Sequence, residues 1–180
     1  HSLRRWQSRP GELMASSLVI ASSFPTDTVN DATTRWTSFG GNLVWKATET
    51  LLQVPVRDAG TVTNLYSYVP TNTASVTSVL TLRVSLADSA LTVSYTSDQT
   101  GIKEDTSNSV TVAATDELNW QCVVPSEAGT NSIAFSVISA QFNPTTTTNC
   151  ISSMGANQGD GHSHTLASTT AYFLPCGFLD

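Results

Sequence analysis

Two histidines near the carboxyl end of the chain are the residues whose types and spacing most resemble a metal site. They lie in the sequence Asp160-Gly161-His162-Ser163-His164. Side chains two positions apart on a β-strand point to the same side, so these histidines can share one metal ion with a nearby carboxylate. A polar turn has the same composition, and the sequence favours it because short motifs often match by chance. We therefore expect no bound metal and no cofactor.

The same histidines define a minor alternative, a metalloenzyme. Cupin-type jelly rolls carry His-x-His followed within a few residues by Glu, whereas residues 165–171 contain no acid and no further histidine. A free amino-terminal histidine can bind copper, and His1 with His162 or His164 would then resemble the site of a lytic polysaccharide monooxygenase. The residues after His1 are rich in arginine rather than strand-forming, and Met14 has the character of a translation start. The motif therefore lacks the context that copper chemistry needs.

Hydrolytic chemistry has equally little support. No Gly-x-Ser-x-Gly motif is present, and only three histidines are available as a general base. The adjacent acids Glu104-Asp105 and Asp116-Glu117 lie in or beside predicted turns, and neighbours on a strand point to opposite faces. Neither pair has the arrangement of a glycosidase couple. The sequence thus predicts a protein that is not an enzyme.

Residues 1–14 are predicted to form an extended basic arm. The arm holds three of the eight Lys and Arg residues of the chain, and a Pro-Gly break follows Arg9. Its tryptophan, Trp6, has no strand pattern that would bury it. Guanidinium groups and an exposed indole are typical of interface hot spots. Met14, at the end of the arm, has the character of a translation start, so the sequence leaves open that the arm is not native. The predicted partner-binding residues are Arg4, Arg5, Trp6 and Arg9.

The body that follows is weakly charged. Of 180 residues only 12% are charged and 39% are hydrophobic, and the formal net charge is −6. Broad nucleic-acid and acidic-membrane surfaces need clustered Lys and Arg, so we expect neither partner. The apolar stretch 18–21 is too short to span a bilayer, which predicts a protein that is soluble before assembly. The length fits a single domain.

The cysteines favour reduced thiols. Cys122, Cys150 and Cys176 are an odd number, so at least one of them cannot pair within the chain. A disulfide between Cys150 and Cys176 is one alternative. Secreted domains stabilised by disulfides usually contain an even number of cysteines at a higher density, which is why we expect reduced cysteines here.

Alternation of apolar and polar residues is the dominant pattern after the arm. It is clearest over residues 80–86, where Leu or Val occupies every second position. Turns about every ten residues indicate a sandwich or barrel, and apolar residues never keep helical spacing over three turns. Further strands are predicted at 43–46, 51–57, 61–69, 91–95, 110–112, 118–124, 132–141 and 165–173, with turns at 87–89, 97–101, 114–116 and 125–129.

The predicted fold class is therefore all-β, a jelly-roll-like antiparallel β-sandwich with an extended N-terminal arm. Residues 15–180 form the single sandwich domain, which includes a long loop at about 143–160, and loops of that length tend to be binding elements or mobile covers. Trp120 shares a face with Leu118 and Cys122 and is predicted to be core. Trp36 and Trp45 flank a Gly-Gly turn, and the sequence leaves both core and surface positions open for them.

A resemblance to a known group of proteins rests on residues 80–120. The quoted segments resemble the jelly-roll domain of decoration and fibre proteins of tailed bacteriophages, and similar patterns occur in trimeric heads of the complement and tumour-necrosis-factor type. This chain departs from the family in its turns, with Leu86-Ala87-Asp88 where Asn-Gly is common. The segments are Thr-Leu-Arg-Val (81–84), Leu-Thr-Val (91–93), Thr-Gly-Ile (100–102), Glu-Asp-Thr-Ser-Asn-Ser-Val-Thr-Val (104–112) and Thr-Asp-Glu-Leu (115–118).

The resemblance implies a structural protein of the virion surface, which decorates or cements a capsid. Its partners would be the major capsid protein and sister subunits in a homotrimer, with no catalytic residues. The alternative is a receptor- or carbohydrate-binding β-module, a fibre head, with loops carrying Trp36 or residues 143–160 at an exposed tip.

Overall fold

The structure, a computed structural model, describes residues 18–23, 27–42, 44–126 and 131–145. Most of these residues form β-strands, because hydroxyl and β-branched residues alternate with buried apolar ones. The strands are β1 Leu18–Ser23, β2 Thr28–Asn30, β3 Thr33–Ser38, β4 Gly41–Asn42, β5 Val54–Pro55, β6 Gly60–Val69, β7 Thr71–Asn72, β8 Ser78–Val84, β9 Ala87–Tyr95, β10 Gly101–Val112, β11 Glu117–Val124, β12 Ser132–Ala134 and β13 Val137–Pro144; Glu49–Leu51 is a turn of 3₁₀ helix.

Two large sheets form the sandwich. Sheet I has the order β10-β6-β13-β1-β4, and sheet II has the order β3-β11-β8-β9, with β5 pairing with the start of β11. A small sheet III, β2-β12-β7, continues from the ends of β6 and β13. The pairs are antiparallel except β1 with β4. The chain crosses between the large sheets from β9 to β10, again to β11 and again before β13. The prediction of an all-β, jelly-roll-like sandwich is confirmed.

The core lies between the two large sheets. Trp120 in β11 is fully buried and packs on Phe39, with ring centroids 5.5 Å apart. Its indole Nε1 donates a hydrogen bond to the Phe39 carbonyl oxygen at 3.3 Å, which satisfies the polar atom that burial would otherwise leave unpaired. Leu80 and Leu82 of the neighbouring strand are also fully buried. The alternation that predicted this face and placed Trp120 in the core is confirmed.

The structure also decides the positions of the two other tryptophans in the described residues. Trp45 is buried and packs against Phe135 at 5.6 Å. Trp36 is half-buried in the middle of β3, where it pairs with Gln121 of β11. Gln121 lies between two buried, inward-facing residues of β11, so Trp36 shares the outer face of sheet II. The hypothesis that placed Trp36 in a loop at an exposed tip is wrong, because this residue belongs to a paired strand.

The hairpin between β8 and β9 differs from the sequence-based prediction. The turn consists of Ser85 and Leu86, with φ angles of 48° and 71°, whereas residues 87–89 belong to β9. Leu86 is 50% exposed at the tip and does not continue the buried alternation of β8. Two-residue hairpin turns of type I′ need positive φ at both central residues, which Asn-Gly normally signals. Ser-Leu carries no such signal, so the sequence predicts a turn at residues 87–89, two residues after its observed position.

Three other predicted strands differ from the structure, because their residues divide between two sheets or pair with a neighbour over only part of their length. The segment predicted as one strand at 132–141 contains β12 in sheet III and β13 in sheet I, separated by a buried Phe135. Only Val54–Pro55 of the strand predicted at 51–57 pairs with a neighbour. In the segment predicted at 43–46, Lys46 makes one bridge with Trp36.

Asn143 and Pro144, which were predicted to open the long loop, instead pair with β6. The rest of that loop, the strand predicted at 165–173, and Cys150 and Cys176 lie outside the described residues. None of the described residues forms a helix of the length and apolar character needed to cross a bilayer.

Candidate partner-binding surface

The predicted partner-binding residues Arg4, Arg5, Trp6 and Arg9 all lie outside the described residues, and so do the histidines considered as metal ligands, His1, His162 and His164. Within the ranges that the structure describes, no three His, Cys, Asp or Glu side chains come together in a way that could hold a metal ion. A candidate site must therefore be sought on the sandwich itself.

Sheet I carries an exposed apolar strip on its outer face. Tyr68 of β6 pairs with Ile102 of β10 on one side and with Val137 of β13 on the other. Ile102 is 58% exposed and Tyr68 is 39% exposed, while Val137 is half-buried. We call Ile102, Tyr68 and Val137 the apolar strip. Three adjacent strands thus present apolar side chains to solvent at one level of the sheet.

Period-two alternation in β6 explains why the strip faces outward. Its inward positions, among them Leu65 and Val69, are fully buried, so Tyr66 and Tyr68 take the opposite face. Alternation in the sequence predicts the strand and its buried face, whereas the exposure of the second face depends on the neighbouring strands. Two tyrosines on the outward face were the available signal that it is not uniformly polar.

A pocket opens on the same face beside the strip. It has a volume of about 290 Å³, and three irregularities in adjacent strands lie next to it. The register shifts between Asp105 and Ser109 in β10 and between Ser139 and Gln141 in β13. Between these strands, Asn64 of β6 has a φ of 54°. Bulges bend strands and redirect side chains, which makes a flat sheet face concave. The sheet I pocket is lined by Val19, Asn64, Tyr66, Glu104, Thr106 and Gln141, among others.

Asp105 holds the β10 bulge together. Its carboxylate accepts hydrogen bonds from the backbone N–H groups of Thr92 at 3.1 Å, Ser107 at 3.2 Å and Asn108 at 3.1 Å. The Asn108 side-chain amide adds a hydrogen bond of 2.9 Å. Burial by itself raises the pKa of Asp105, but the hydrogen bonds, led by those of Asn108, lower it below its ordinary value of 3.8. The bulge beside the pocket therefore rests on an ionised carboxylate.

A second polar cluster anchors the 3₁₀ helix to the outer face of sheet II. Arg83 donates to both carboxylate oxygens of Glu49, at 2.8 and 3.1 Å, and to Asp88 at 2.5 Å. It also donates to the carbonyl oxygen of Leu86. The hydrogen bonds to Glu49 raise the pKa of Arg83 above its ordinary value, and burial opposes them. Because both carboxylates bond to the one guanidinium, this cluster ties the 3₁₀ helix to β8 and to the start of β9.

Two buried titratable groups have raised pKa values. Burial raises the pKa of Tyr95 to about 12, and the hydrogen bond with Ser67 opposes that shift. Burial also raises the pKa of the Cys122 thiol, which is a free cysteine without solvent exposure. Both groups stay protonated at neutral pH, so neither serves as a base or a nucleophile there.

Comparisons with protein-family models, with curated proteins and with solved structures found no match for this chain.

Proposed function

We propose that the protein is a structural protein of the virion surface, which decorates or cements a capsid through contacts with sister subunits and with the major capsid protein. The apolar strip is the observation that carries this proposal. Exposed apolar area on a well-packed sandwich is unfavourable in water and is characteristic of surfaces that meet another protein. The sister subunits are the partners that we assign to the strip.

The surroundings of the strip have the composition of an interface. Apolar side chains from three strands form the centre, and in the next row of the sheet the polar residues Glu104 and Ser139 lie on either side of Tyr66. Protein interfaces combine an apolar centre with a polar rim in this way. Paired strands fix the backbone that carries these side chains, so no loop has to become ordered when a neighbouring subunit docks.

The resemblance to phage decoration proteins supports the capsid setting. The segment that carries it forms β8 to β11, of which β8, β9 and β11 lie in sheet II and β10 lies in sheet I. From the same resemblance we propose a homotrimer. The basic arm, with Arg4, Arg5, Trp6 and Arg9, is proposed to contact the major capsid protein.

Sedimentation analysis of the Ile102→Lys variant tests the subunit contact. We expect the native protein to sediment as a trimer and the variant to dissociate, because a charge would be buried at the centre of the interface. The control is Leu51→Lys, since Leu51 is 70% exposed in the 3₁₀ helix, away from sheet I. Leu51→Lys should keep the native unfolding midpoint, whereas Ile102→Lys should stay folded but unfold at a lower midpoint, because subunit association no longer stabilises it. A monomeric native protein, or a trimeric Ile102→Lys variant, would contradict the proposal.

Deletion of residues 1–13 tests the arm separately. We expect the truncated protein to keep its unfolding midpoint and to bind the major capsid protein more weakly. Binding of the full chain should decrease at high salt because exposed charge contacts are screened. Equal binding by the two proteins would assign the capsid contact to the sandwich.

A further inference from the structure

From the shape and chemistry of the sheet I pocket, we infer that it binds one pyranose ring of a neutral saccharide. This inference goes beyond the proposed function, because subunit contact at the apolar strip needs no small-molecule ligand. Ligand pockets usually have volumes of about 300–1,000 Å³. The sheet I pocket, at about 290 Å³, lies at the small end of that range and suits a single sugar ring.

The pocket combines an aromatic ring with hydrogen-bonding groups. Tyr66 is half-buried among the lining residues, and Val19 adds an aliphatic side chain that is 68% exposed. A pyranose has an apolar face of C–H groups and a periphery of hydroxyls. Its apolar face can pack on the tyrosine ring while the hydroxyls bond to neighbouring amides, hydroxyls and carboxylates. Purely apolar or purely ionic ligands would use only part of this lining.

Two amides at the pocket are held in place before any ligand arrives. The side-chain nitrogen of Asn64 donates to the side-chain oxygen Oε1 of Gln141 at 2.6 Å, and the side-chain nitrogen of Gln141 donates to Oδ1 of Asn143 at 3.1 Å. Each amide nitrogen carries a second hydrogen, and the Asn64 oxygen is a further acceptor. Fixed amides lose little entropy on binding, which favours recognition of sugar hydroxyls.

The remaining polar groups are uncommitted. Glu104 is exposed, and in the part of the chain that the structure describes its side chain makes no hydrogen bond or ion pair. The same holds for the hydroxyl groups of Thr106 and Ser139, which also line the pocket. These groups stand at the rim of a preformed concavity rather than in the hydrogen-bond network of the core. A carboxylate and two hydroxyls therefore face the space that a ligand would fill.

The negative charge of the pocket lining favours neutral saccharides over acidic ones. Glu104 is the one charged residue in the described lining, and the whole chain has a net charge of −6. Sialic acids, uronic acids and sulfated sugars would meet this carboxylate without a cation to balance them. A neutral hexose or N-acetylhexosamine meets no such repulsion.

The pocket and the apolar strip are neighbours on one face. Tyr66 lies two residues before Tyr68 along β6, a separation of about 7 Å. A saccharide and a sister subunit can therefore occupy adjacent areas. Saccharide binding should be measured on the native protein and on the Ile102→Lys variant. Binding by the variant alone would show that the subunit interface covers the pocket.

Saturation-transfer NMR with a panel of methyl glycosides is the test. The panel contains the α- and β-methyl glycosides of glucose, galactose, mannose and N-acetylglucosamine, together with the methyl glycoside of sialic acid. We expect transfer to at least one neutral glycoside and none to the sialoside. The Tyr66→Leu and Glu104→Ala variants should each bind about tenfold more weakly, a change that corresponds to losing one or two contacts.

Glu117→Ala is the matched control, since Glu117 is an exposed carboxylate on sheet II. It should bind as the native protein does, and the unfolding midpoint of every variant should be measured alongside. The native trimer can fail to bind because its interface covers the pocket. In that case, glycoside binding by the Ile102→Lys variant that is lost when Glu104→Ala is added supports the inference. No transfer to any neutral glycoside in either protein, equal transfer to the sialoside, or transfer that is unchanged by both pocket variants would overturn it.

Discussion

Ser67 of sheet I and Tyr95 of sheet II meet in the middle of the core, where their hydroxyl oxygens lie 2.8 Å apart. Both side chains are fully buried, and the Tyr95 hydroxyl also donates to the Ser67 carbonyl oxygen at 3.2 Å. This hydrogen bond joins the two sheets through polar atoms in a mostly apolar layer. Because water is excluded there, both hydroxyls rely on protein partners for their hydrogen bonds, and the contact between them is the shortest of these.

Replacing Tyr95 by Phe removes this link and leaves the Ser67 hydroxyl with one contact, the Lys103 carbonyl oxygen at 3.5 Å. We expect a loss of about 1–3 kcal/mol in the free energy of unfolding, measured by denaturant titration. The double variant with Ser67→Ala should lose less than the sum of the single variants, because both changes break the same hydrogen bond. Additive losses would show that the two hydroxyls act independently.

Asp105→Asn should weaken the β10 bulge, because an amide nitrogen would face backbone N–H donors. We expect a loss of about 1–3 kcal/mol at neutral pH. The folded-state pKa of Asp105 is lowered, so its contribution is complete above the ordinary value of 3.8 and is lost as the pH falls through the lowered pKa. The difference from the native protein should therefore shrink in acid.

The comparison needs unfolding titrations of both proteins from neutral pH to below pH 3. Glu117→Gln is the control, because it removes an exposed carboxylate that has no side-chain partner among the described residues. A difference between native protein and Asp105→Asn that stays constant down to the lowest pH would contradict the assignment of an ionised Asp105.

Glu49→Gln and Asp88→Asn separate a shielded ion pair from an exposed one that shares the same arginine. The Glu49 side chain is 12% exposed and that of Asp88 is 65% exposed. We expect Glu49→Gln to lower the free energy of unfolding by about 1–3 kcal/mol, because it leaves Arg83 without its bidentate partner. Asp88→Asn should lower it by less than about 1 kcal/mol. Equal effects in denaturant titrations would mean that burial does not strengthen the Glu49 pair.

Leu86→Gly should stabilise the protein. Leu86 occupies the left-handed region, with a φ of 71°, which glycine adopts without a Cβ clash. We expect a gain of about 0.5–1 kcal/mol, seen as a higher thermal unfolding midpoint. Leu86→Ala is the matched control, since it removes the same exposed apolar side chain but keeps the backbone penalty. An equal gain in both variants would trace the effect to the side chain instead.

The core strands could be predicted from the sequence because period-two alternation is a local property. Residues such as Leu82 and Trp120 mark an inward face wherever the strand is placed, so β6, β8, β9 and β11 were found and Trp120 was assigned to the core. The hairpin at Ser85-Leu86 was missed, because its geometry depends on the pairing of two strands rather than on turn-forming residues.

Several features of the surface could not be predicted from local sequence patterns. The Glu49–Arg83 pair joins residues 34 positions apart, which meet only because the 3₁₀ helix packs against the outer face of sheet II. The apolar strip and the sheet I pocket depend on β10, β6 and β13 becoming neighbours, although β13 begins 25 positions after β10 ends.

By itself, the sequence determined an all-β sandwich, the inward faces of its main strands and a weakly charged exterior, since alternation and composition act through each residue's own preference for water or core. Only the tertiary structure decided which outward face keeps apolar side chains exposed and where bulges open a pocket. Those properties arise from strand order and register, which long-range pairing sets.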